Sequence, residues 1–144
     1  MASVHKSVLV RHSAQQLFAL VEAVDDYPTF LPWCGGTQTL ERAADTALVR
    51  IDINFHGVRT HFTTANEYHR PDSIVLALRD GPFRRLDGVW AFRPLAEDAC
   101  KVEFTLNYEF ATPVLETLIG PVFNRIADSF IDAFVRRAEA VYAA

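Results

Sequence analysis

The chain has 144 residues, half of them hydrophobic and 22% charged, with a formal net charge of −4. These totals fit one globular domain over residues 1–144, and they exclude the general basic field that non-specific nucleic-acid binding needs, while leaving a local basic patch open. No apolar run approaches the roughly 20 residues of a membrane span, and the first residues show no signal-peptide pattern. We therefore expect a cytoplasmic protein, with peripheral contact at the inner membrane as the open alternative.

The first 36 residues predict a strand followed by two short helices. Val4–Arg11 alternates apolar and polar residues, as a strand with one buried face does. Ser13 and Gln16 then form the pattern of a helix-capping box. The helix ends where Asp25–Pro28 interrupts it, and a second short helix ends before the paired glycines Gly35 and Gly36.

A period of two dominates the middle of the chain and predicts about six antiparallel strands. The dipeptide His56-Gly57 lies between two alternating segments and is typical of a tight hairpin turn. The last segment obeys the alternation at every position, so we expect one buried and one solvated face. The alternating segments are Ala47–Phe55, Val58–Tyr68, Ile74–Leu78, Leu86–Phe92 and Cys100–Phe110.

A helical period begins after Thr112-Pro113, which reads as an N-cap followed by proline at the first helical position. Apolar residues recur from there to Val141 at three- and four-residue steps. Gly120-Pro121 is expected to kink this helix or split it. The fold class is therefore α+β with a helix-grip arrangement: a curved antiparallel sheet wraps around one long C-terminal helix, with two short helices after the first strand.

A cavity between that helix and the sheet is the candidate binding site, because eleven phenylalanines in so short a chain either pack tightly or line something. Thr64, Tyr68 and Tyr108, and less surely Asn66, are the polar groups expected inside. The alternative is that these residues only fill the core at native density. The predicted ligand-binding residues are Trp33, Phe62, Tyr68, Trp90, Phe92, Phe104, Leu106 and Tyr108 around the slot, and Leu118, Val122, Phe123 and Ile126 on the covering helix.

Catalytic and metal sites find little support in the sequence. No nucleophile–base pair or inward pair of carboxylates is indicated by spacing, so we expect a binding protein without catalytic residues, not an enzyme. The five histidines do not form a metal-binding pattern, and no cofactor is required. Cys34 and Cys100 have neither metal-site nor disulfide-motif spacing and are expected to be buried thiols.

Two surface features have an open interpretation. The apolar residues Tyr27, Phe30, Leu31 and Trp33 lie in a segment with two prolines, which either caps the cavity or touches a membrane surface transiently. Arginines could form a local basic surface, although such charges are usually a solvated face. The two candidate groups are Arg59, Arg70, Arg84 and Arg85, and Arg125, Arg136 and Arg137.

Three blocks of sequence resemble one known family. Leu20–Cys34, with its Tyr-Pro-Thr-Phe-Leu-Pro-Trp-Cys ending, Asp80–Leu86 with the later Trp90 and Phe92, and Phe104–Phe110 are similar to the START-like coenzyme Q-binding family. That family also contains proteins described as oligoketide cyclases or lipid-transport proteins, and its fold is START/Bet v1-like. The likeness covers the whole chain and is greatest to the bacterial ribosome-association toxin branch.

The resemblance implies three functions. The first is non-enzymatic binding of ubiquinone or a related isoprenoid lipid, in support of respiration. The alternative is a toxin that binds the large ribosomal subunit and blocks subunit joining, which would imply an antitoxin partner. A polyketide cyclase or aromatase is third, because the predicted inward faces carry few polar groups for acid–base chemistry.

Overall fold

The structure is a computed structural model that describes residues 2–142. It contains seven strands, three α-helices and one 3₁₀ turn, Val24–Asp26. The helices are α1 (Ala14–Glu22), α2 (Tyr27–Phe30) and α3 (Pro113–Val141). The strands are β1 (Ala2–Val10), β2 (Cys34–Arg42), β3 (Thr46–Phe55), β4 (Val58–His69), β5 (Ser73–Asp80), β6 (Phe83–Ala96) and β7 (Ala99–Phe110).

The helix-grip prediction is confirmed. The strands form one antiparallel sheet in the order β1-β7-β6-β5-β4-β3-β2, so β1 and β2 are its edges. The first strand pairs with the last, with Ala2 opposite Tyr108 and Val10 opposite Cys100. This pairing lets consecutive hairpins curl around α3, which fills the concave side of the sheet.

The predicted local signals at the start of the chain are present in the structure. Ser13 caps α1, since its hydroxyl accepts from the Gln16 amide at 3.1 Å while the Gln16 side chain accepts from the Ser13 amide at 2.9 Å. The helix buries Leu17, Phe18 and Val21, which face the rest of the core. Reciprocal capping of this kind satisfies two amides that would otherwise lack partners at the helix start.

The turn between β3 and β4 also follows its sequence. His56 and Gly57 have φ angles of 49° and 80°, the left-handed values that a two-residue hairpin turn of this hand requires. The strand β2 was not assigned by the period-two pattern, because it is an edge strand that begins with two glycines. A side chain at Gly35 would place its Cβ 3.2 Å from the Cβ of Asn54, so close strand packing explains the glycine there.

The C-terminal helix is continuous. Thr112 accepts a hydrogen bond from the Leu115 amide at 3.1 Å, and Pro113 takes the first position, as predicted. Of the two outcomes predicted for Gly120-Pro121, a kink or a split, the split does not occur, because α3 runs through both residues. Pro121 has no N–H to donate to the Thr117 carbonyl four residues earlier, so the helix lacks one internal hydrogen bond there.

Candidate ligand cavity and adjoining groove

A small cavity lies between α3 and the concave face of the sheet. Its volume is about 60 Å³, which is roughly the space of two water molecules in the liquid. Its wall is almost entirely apolar. The lining residues are Val21, Val24, Tyr27, Trp33, Ile51, Phe62, Thr64, Asn66, Ile74, Leu76, Leu86, Trp90, Phe104, Leu106, Phe123, Ile126, Ala127 and Phe130.

Most of the residues predicted for the slot meet in this cavity. Those that line it are Trp33, Phe62, Trp90, Phe104, Leu106, Phe123 and Ile126. The aromatic members are in direct contact: the ring centroids of Trp90 and Phe104 are 4.5 Å apart, and those of Phe104 and Phe130 are 5.4 Å apart. Strand alternation brings Phe104 and Leu106 to the same face, two residues apart on β7.

Two of the predicted slot residues lie behind the cavity wall. Phe92 is 1% exposed and packs its ring against Phe18 of α1, with centroids 5.7 Å apart. Tyr68 is also buried against Phe18 and lies beneath the guanidinium of Arg70. Their strand faces were predicted correctly, but α1 covers that part of the sheet and separates both rings from the cavity.

Three further predicted residues lie on the wrong side of the cavity or outside it. Leu118 is 63% exposed, so it cannot belong to the cavity's covering surface. Val122 is half-buried and does not reach the wall. Tyr108 is buried, but it lines a separate groove described below. The apolar stripe of α3 is wider than the face that the sheet covers, which is why the pattern included its outer edge.

Several wall residues were not predicted for the site. They come from strands β3, β5 and β6, from α1 and the segment that follows it, and from the later turns of α3. Alternation in β3 and β5 was the available signal for Ile51, Ile74 and Leu76, whose faces the sequence already gave as apolar. Ala127 and Phe130 had a signal in the helical period.

The polar part of the wall is a short chain of side chains on β4. The Thr64 hydroxyl donates to the Asn66 carbonyl oxygen at 2.7 Å, and the Asn66 amide donates to the Tyr68 hydroxyl at 3.4 Å. Thr64 and Asn66 are both buried. Because each group finds a partner within the chain, the wall is stable without a ligand, while Asn66 keeps one amide hydrogen in reserve.

The segment 24–33 caps one end of the cavity. Tyr27, Leu31 and Trp33 are at most 5% exposed, which favours the capping alternative for this segment over membrane contact. The Tyr27 hydroxyl donates to the Val21 carbonyl, and burial raises the pKa of that hydroxyl far above its usual value. Phe30 is half-buried and packs edge-on against Phe134, with ring centroids 5.2 Å apart.

A second, larger space lies beside the N-terminal half of α3. This groove has a volume of about 500 Å³ and runs between α3 and the end of β7. Its wall combines charged and apolar side chains, among them Arg84, Glu116, Phe110 and Pro121. On its floor the Tyr108 hydroxyl donates to the side-chain oxygen of Asn124. Burial raises the pKa of Tyr108, and therefore its hydroxyl keeps its proton at neutral pH.

The candidate basic surface around β6 is neutralised in the structure. Arg84 lies 3.6 Å from a carboxylate oxygen of Glu109, and Arg85 lies 3.2 Å from one of Asp87. Arg70 is paired with Glu22 and with Asp45. These ion pairs leave little excess positive charge on that surface.

Two other arginines lie at the β3–β4 hairpin, one on each face of it. Arg59 lies opposite Asn54 on this hairpin, and the guanidinium of Arg125 from α3 packs over the ring of Phe55. Among residues 2–142, neither arginine has a carboxylate oxygen within 4.0 Å. Both side chains are exposed. The hairpin therefore carries two exposed arginines that no ion pair within the described chain neutralises.

Metal and thiol chemistry have no centre in the described chain. Between residues 2 and 142, no three His, Cys, Asp or Glu side chains come together as a metal site would require. Cys34 and Cys100 are free and buried, and burial raises the pKa of both thiols, which makes them poor nucleophiles. Across the same residues, no helix combines the length and apolar character that crossing a membrane requires.

Comparison with known proteins identifies the family. A sequence profile for the family described as polyketide cyclase / dehydrase and lipid transport matches residues 10–135. The chain belongs to this family. The START-like resemblance predicted from the three sequence blocks is therefore confirmed.

Curated relatives align over nearly the whole chain. The ribosome association toxin RatA of Vibrio cholerae is 42% identical over 142 residues, which cover 99% of both chains. The persistence and stress-resistance toxin PasT of Escherichia coli O6:H1 is 40% identical over 144 residues, covering 100% of this chain and 91% of that protein. A mitochondrial coenzyme Q-binding protein COQ10 homolog of Xenopus laevis is 23% identical over 95% of this chain and 58% of that protein.

Solved structures confirm the fold. An 18 kDa protein from Caulobacter crescentus is 31% identical, with a TM-score of 0.76 and full coverage of both chains. The Zhui aromatase/cyclase from a Streptomyces species has a TM-score of 0.81 at 18% identity, covering 99% of this chain and 96% of that one. At such low identity the cyclase shows a shared architecture only.

Proposed function

We propose that the chain binds an apolar or amphipathic ligand, ubiquinone or a related isoprenoid lipid, in the cavity beneath α3. The observation that carries this proposal is the unfilled space itself. Native cores rarely leave voids larger than a water molecule, and an empty cavity of about 60 Å³ costs about 1.5 kcal/mol of stability. Retaining such a void within an otherwise dense aromatic cluster is better explained by a bound ligand than by packing.

The chemistry of the wall supports an isoprenoid or quinone ligand over a polar one. Trp33, Trp90 and Phe104 offer flat aromatic faces, and Asn66 offers the spare amide hydrogen that could donate to a carbonyl oxygen. The distant relative named as a coenzyme Q-binding protein supports the same ligand class.

The wall also supports binding without catalysis. Apart from Tyr27, no lining residue in the described chain has an ionisable side chain, and the Tyr27 hydroxyl is already used on the Val21 carbonyl. Proton transfer to a bound substrate needs a positioned acid or base within hydrogen-bonding reach. We therefore propose that the cavity holds its ligand unchanged, whereas the aromatase/cyclase neighbours share only the fold.

The test is mass spectrometry of lipids extracted from the purified chain, with Ala127→Leu as the decisive variant. Ala127 is 3% exposed and lines the cavity, so three added carbons fill the space from inside. The same substitution at the exposed Ala140 of α3 is the matched control. We expect wild type and Ala140→Leu to carry a quinone or isoprenoid lipid and Ala127→Leu to lose it while keeping its thermal stability. Lipid-free wild type that also fails to bind added decylubiquinone would contradict the proposal.

Ribosome association is the second candidate function, and the observation that favours it is the set of relatives. Two relatives at 40% identity or more, aligned over 99% or more of the chain, are named as toxins, and one of these names specifies ribosome association. Of the surfaces considered, the hairpin carrying Arg59 and receiving Arg125 offers positive charge without a neighbouring carboxylate. We propose that this surface would contact ribosomal RNA of the large subunit and so hinder subunit joining.

Sedimentation through sucrose gradients tests this second function. Arg59→Glu/Arg125→Glu should reduce co-sedimentation with large subunits, and binding by the wild-type chain should weaken as salt is raised. Arg85→Glu/Arg93→Glu is the matched control, because it changes the net charge equally at two exposed arginines that lie beside carboxylates. Equal binding of both double variants, or an unchanged ratio of subunits to joined ribosomes on overexpression, would exclude the proposal. The cavity and the hairpin are different parts of the molecule, so both functions can hold.

A further inference from the structure

The cavity is too small for the ligand class proposed above. Sites for small molecules usually measure about 300–1,000 Å³, whereas this cavity measures about 60 Å³. The groove beside the N-terminal half of α3, at about 500 Å³, falls within that range. A ligand long enough to be an isoprenoid lipid therefore needs more space than the cavity alone supplies.

Only one layer of side chains separates the two spaces. On the inward face of β7, Leu106 lines the cavity and Tyr108, the next residue on that face, lines the groove. Such neighbours are about 6.6 Å apart along a strand. On α3, the adjacent residues Phe123 and Asn124 divide in the same way, with Phe123 towards the cavity and Asn124 towards the groove.

The separating layer consists of aromatic rings. Phe123 contacts Tyr108 and Phe83, each with ring centroids 4.8 Å apart, and Phe83 stacks on Phe110 at 5.1 Å. Rings can turn about their side-chain torsions without moving the backbone. Phe123, Tyr108 and Phe83 are buried against one another, so they have to turn together for this layer to open. The hydrogen bond from Tyr108 to Asn124 joins β7 to α3 across it. We call Tyr108 and Phe123 the partition.

The two spaces differ in chemistry in the way that the two ends of an amphipathic ligand do. The groove presents the amide of Asn124, whose nitrogen is not used by Tyr108, and the guanidinium of Arg84. That guanidinium contacts Glu109 and the Ala111 carbonyl but has five N–H groups, so donors remain for a ligand. The polar groups of the cavity, Thr64 and Asn66, are instead largely occupied with each other and with Tyr68. A polar head therefore gains more in the groove, and an apolar tail gains more in the cavity.

We propose that the groove is the mouth of the cavity, where an amphipathic lipid keeps its polar head beside Arg84 and Asn124 and passes its tail between the rings of the partition. This inference rests on the proposed ligand-binding function and assigns the entry route and the orientation of the ligand. It also explains why the resting cavity is small, because the tail occupies space that the rings of the partition fill when no ligand is bound.

Blocking the groove without touching the cavity tests the route. Gly120 lines the groove, and a Cβ built there lies 3.7 Å from the Phe110 ring, so Gly120→Leu extends a side chain along that ring. The probe is decylubiquinone, and the readout is tryptophan fluorescence, since both tryptophans of the chain, Trp33 and Trp90, line the cavity. We expect Gly120→Leu to weaken binding by about tenfold or more, because the added side chain overlaps the ligand. Ala140→Leu should bind as the wild-type chain does.

Removing the bond across the partition gives an independent test that does not depend on added bulk. Tyr108→Phe removes only the hydroxyl that donates to Asn124 and keeps both the ring and the Asn124 amide, so it is compatible with folding and leaves the proposed head contact in place. It should speed both binding and release by about fivefold, as expected when one hydrogen bond no longer resists opening. Unchanged rates in this variant would overturn the inference.

The outcomes separate this inference from the proposed function. If Gly120→Leu binds decylubiquinone as tightly as the wild-type chain while Ala127→Leu does not bind it, the ligand enters elsewhere, and only the route is wrong. If the wild-type chain itself does not bind the probe, the ligand-binding function fails and the route fails with it. A circular dichroism spectrum and an unfolding curve for each variant show that lost binding is not lost folding.

Discussion

The two halves of α3 face the same sheet but are held very differently. In the C-terminal half, Phe134 is 1% exposed and its ring contacts those of Tyr27, Phe30 and Trp90. In the N-terminal half, Val114 and Leu118 are 67% and 63% exposed, and the open groove runs beside the helix. Each half therefore buries an aromatic ring, Phe123 in the N-terminal half and Phe134 in the C-terminal half, but only the N-terminal half borders the open groove.

This difference indicates which half of α3 can separate locally from the sheet at the lower free-energy cost. Local opening costs least where few apolar contacts hold an element in place. The capping segment 24–33 also packs on the C-terminal half, through Tyr27 and Phe30, so opening at that end would break two layers at once. An entry route along the N-terminal half disturbs only the rings of the partition.

The largest expected effect tests the contrast in packing. Phe134→Ala should lower the free energy of unfolding by about 3–5 kcal/mol, because it removes a fully buried ring and leaves a cavity. Leu118→Ala on the same helix should change it by less than about 0.5 kcal/mol, since that side chain is mostly in water already. Urea titrations followed by circular dichroism measure both. Similar losses for the two variants would show that the halves are equally anchored.

An intermediate effect concerns the pH dependence of the free energy of unfolding, through Tyr27, which packs on the C-terminal half of α3. Unfolded tyrosine ionises near pH 10, but burial raises the pKa of folded Tyr27 well above that. The hydroxyl therefore favours the folded state fully below about pH 10, and this contribution is lost as the pH rises further, by up to about 1.4 kcal/mol per pH unit.

Tyr27→Phe isolates that contribution. At neutral pH the variant should be less stable than the wild-type chain by about 1 kcal/mol, because the Val21 carbonyl loses its donor. Between about pH 10 and 11 the two stabilities should converge, since only the wild-type chain loses the Tyr27 contribution. Urea titrations across this range provide the measurement. Parallel curves would mean that Tyr27 ionises in the folded chain as it does in the unfolded one.

The smallest expected effect is a change in stability from a substitution in the N-terminal half of α3. Gly120→Ala should raise the free energy of unfolding by about 0.5–1 kcal/mol, because alanine loses less backbone entropy in a helix than glycine does. Beyond its chain neighbours the added methyl group meets only ordinary contacts, at 3.7 Å from Phe110 and 3.8 Å from Glu116. Its approach to the Pro121 ring keeps the gain at the lower end of that range. Thermal unfolding of the two chains is sufficient to detect it. A destabilised variant would show that the glycine is required for close packing.

The sequence was informative wherever one residue or one period decides a conformation. The alternation from Cys100 to Phe110 predicted the buried face of β7. The dipeptide His56-Gly57 predicted the hairpin turn between β3 and β4. Edge strand β2 could not be found in this way, because an edge strand with paired glycines buries too little to impose a pattern.

The sequence predicted which strand faces point inward, but it did not predict which inward residues line the cavity. Strand alternation placed Phe104 and Leu106 inward, and both line the cavity. It placed Phe92 inward as well, but the position of α1 decides that this ring packs on Phe18 instead. On α3, the apolar period could not tell that Leu118 is left in water, since the covered width of a helix depends on how closely its neighbours approach.

The pairing of β1 with β7 has a consequence for how the chain is made. Ala2 lies opposite Tyr108, so among residues 2–142 strand β1 has its one partner about a hundred residues further along the chain. During translation β1 has to remain unpaired until β7 has emerged, and contacts of such long sequence separation form slowly. Its alternating valines are exposed to neighbouring chains throughout that interval. The nascent chain is therefore most vulnerable to aggregation just before its last strand arrives.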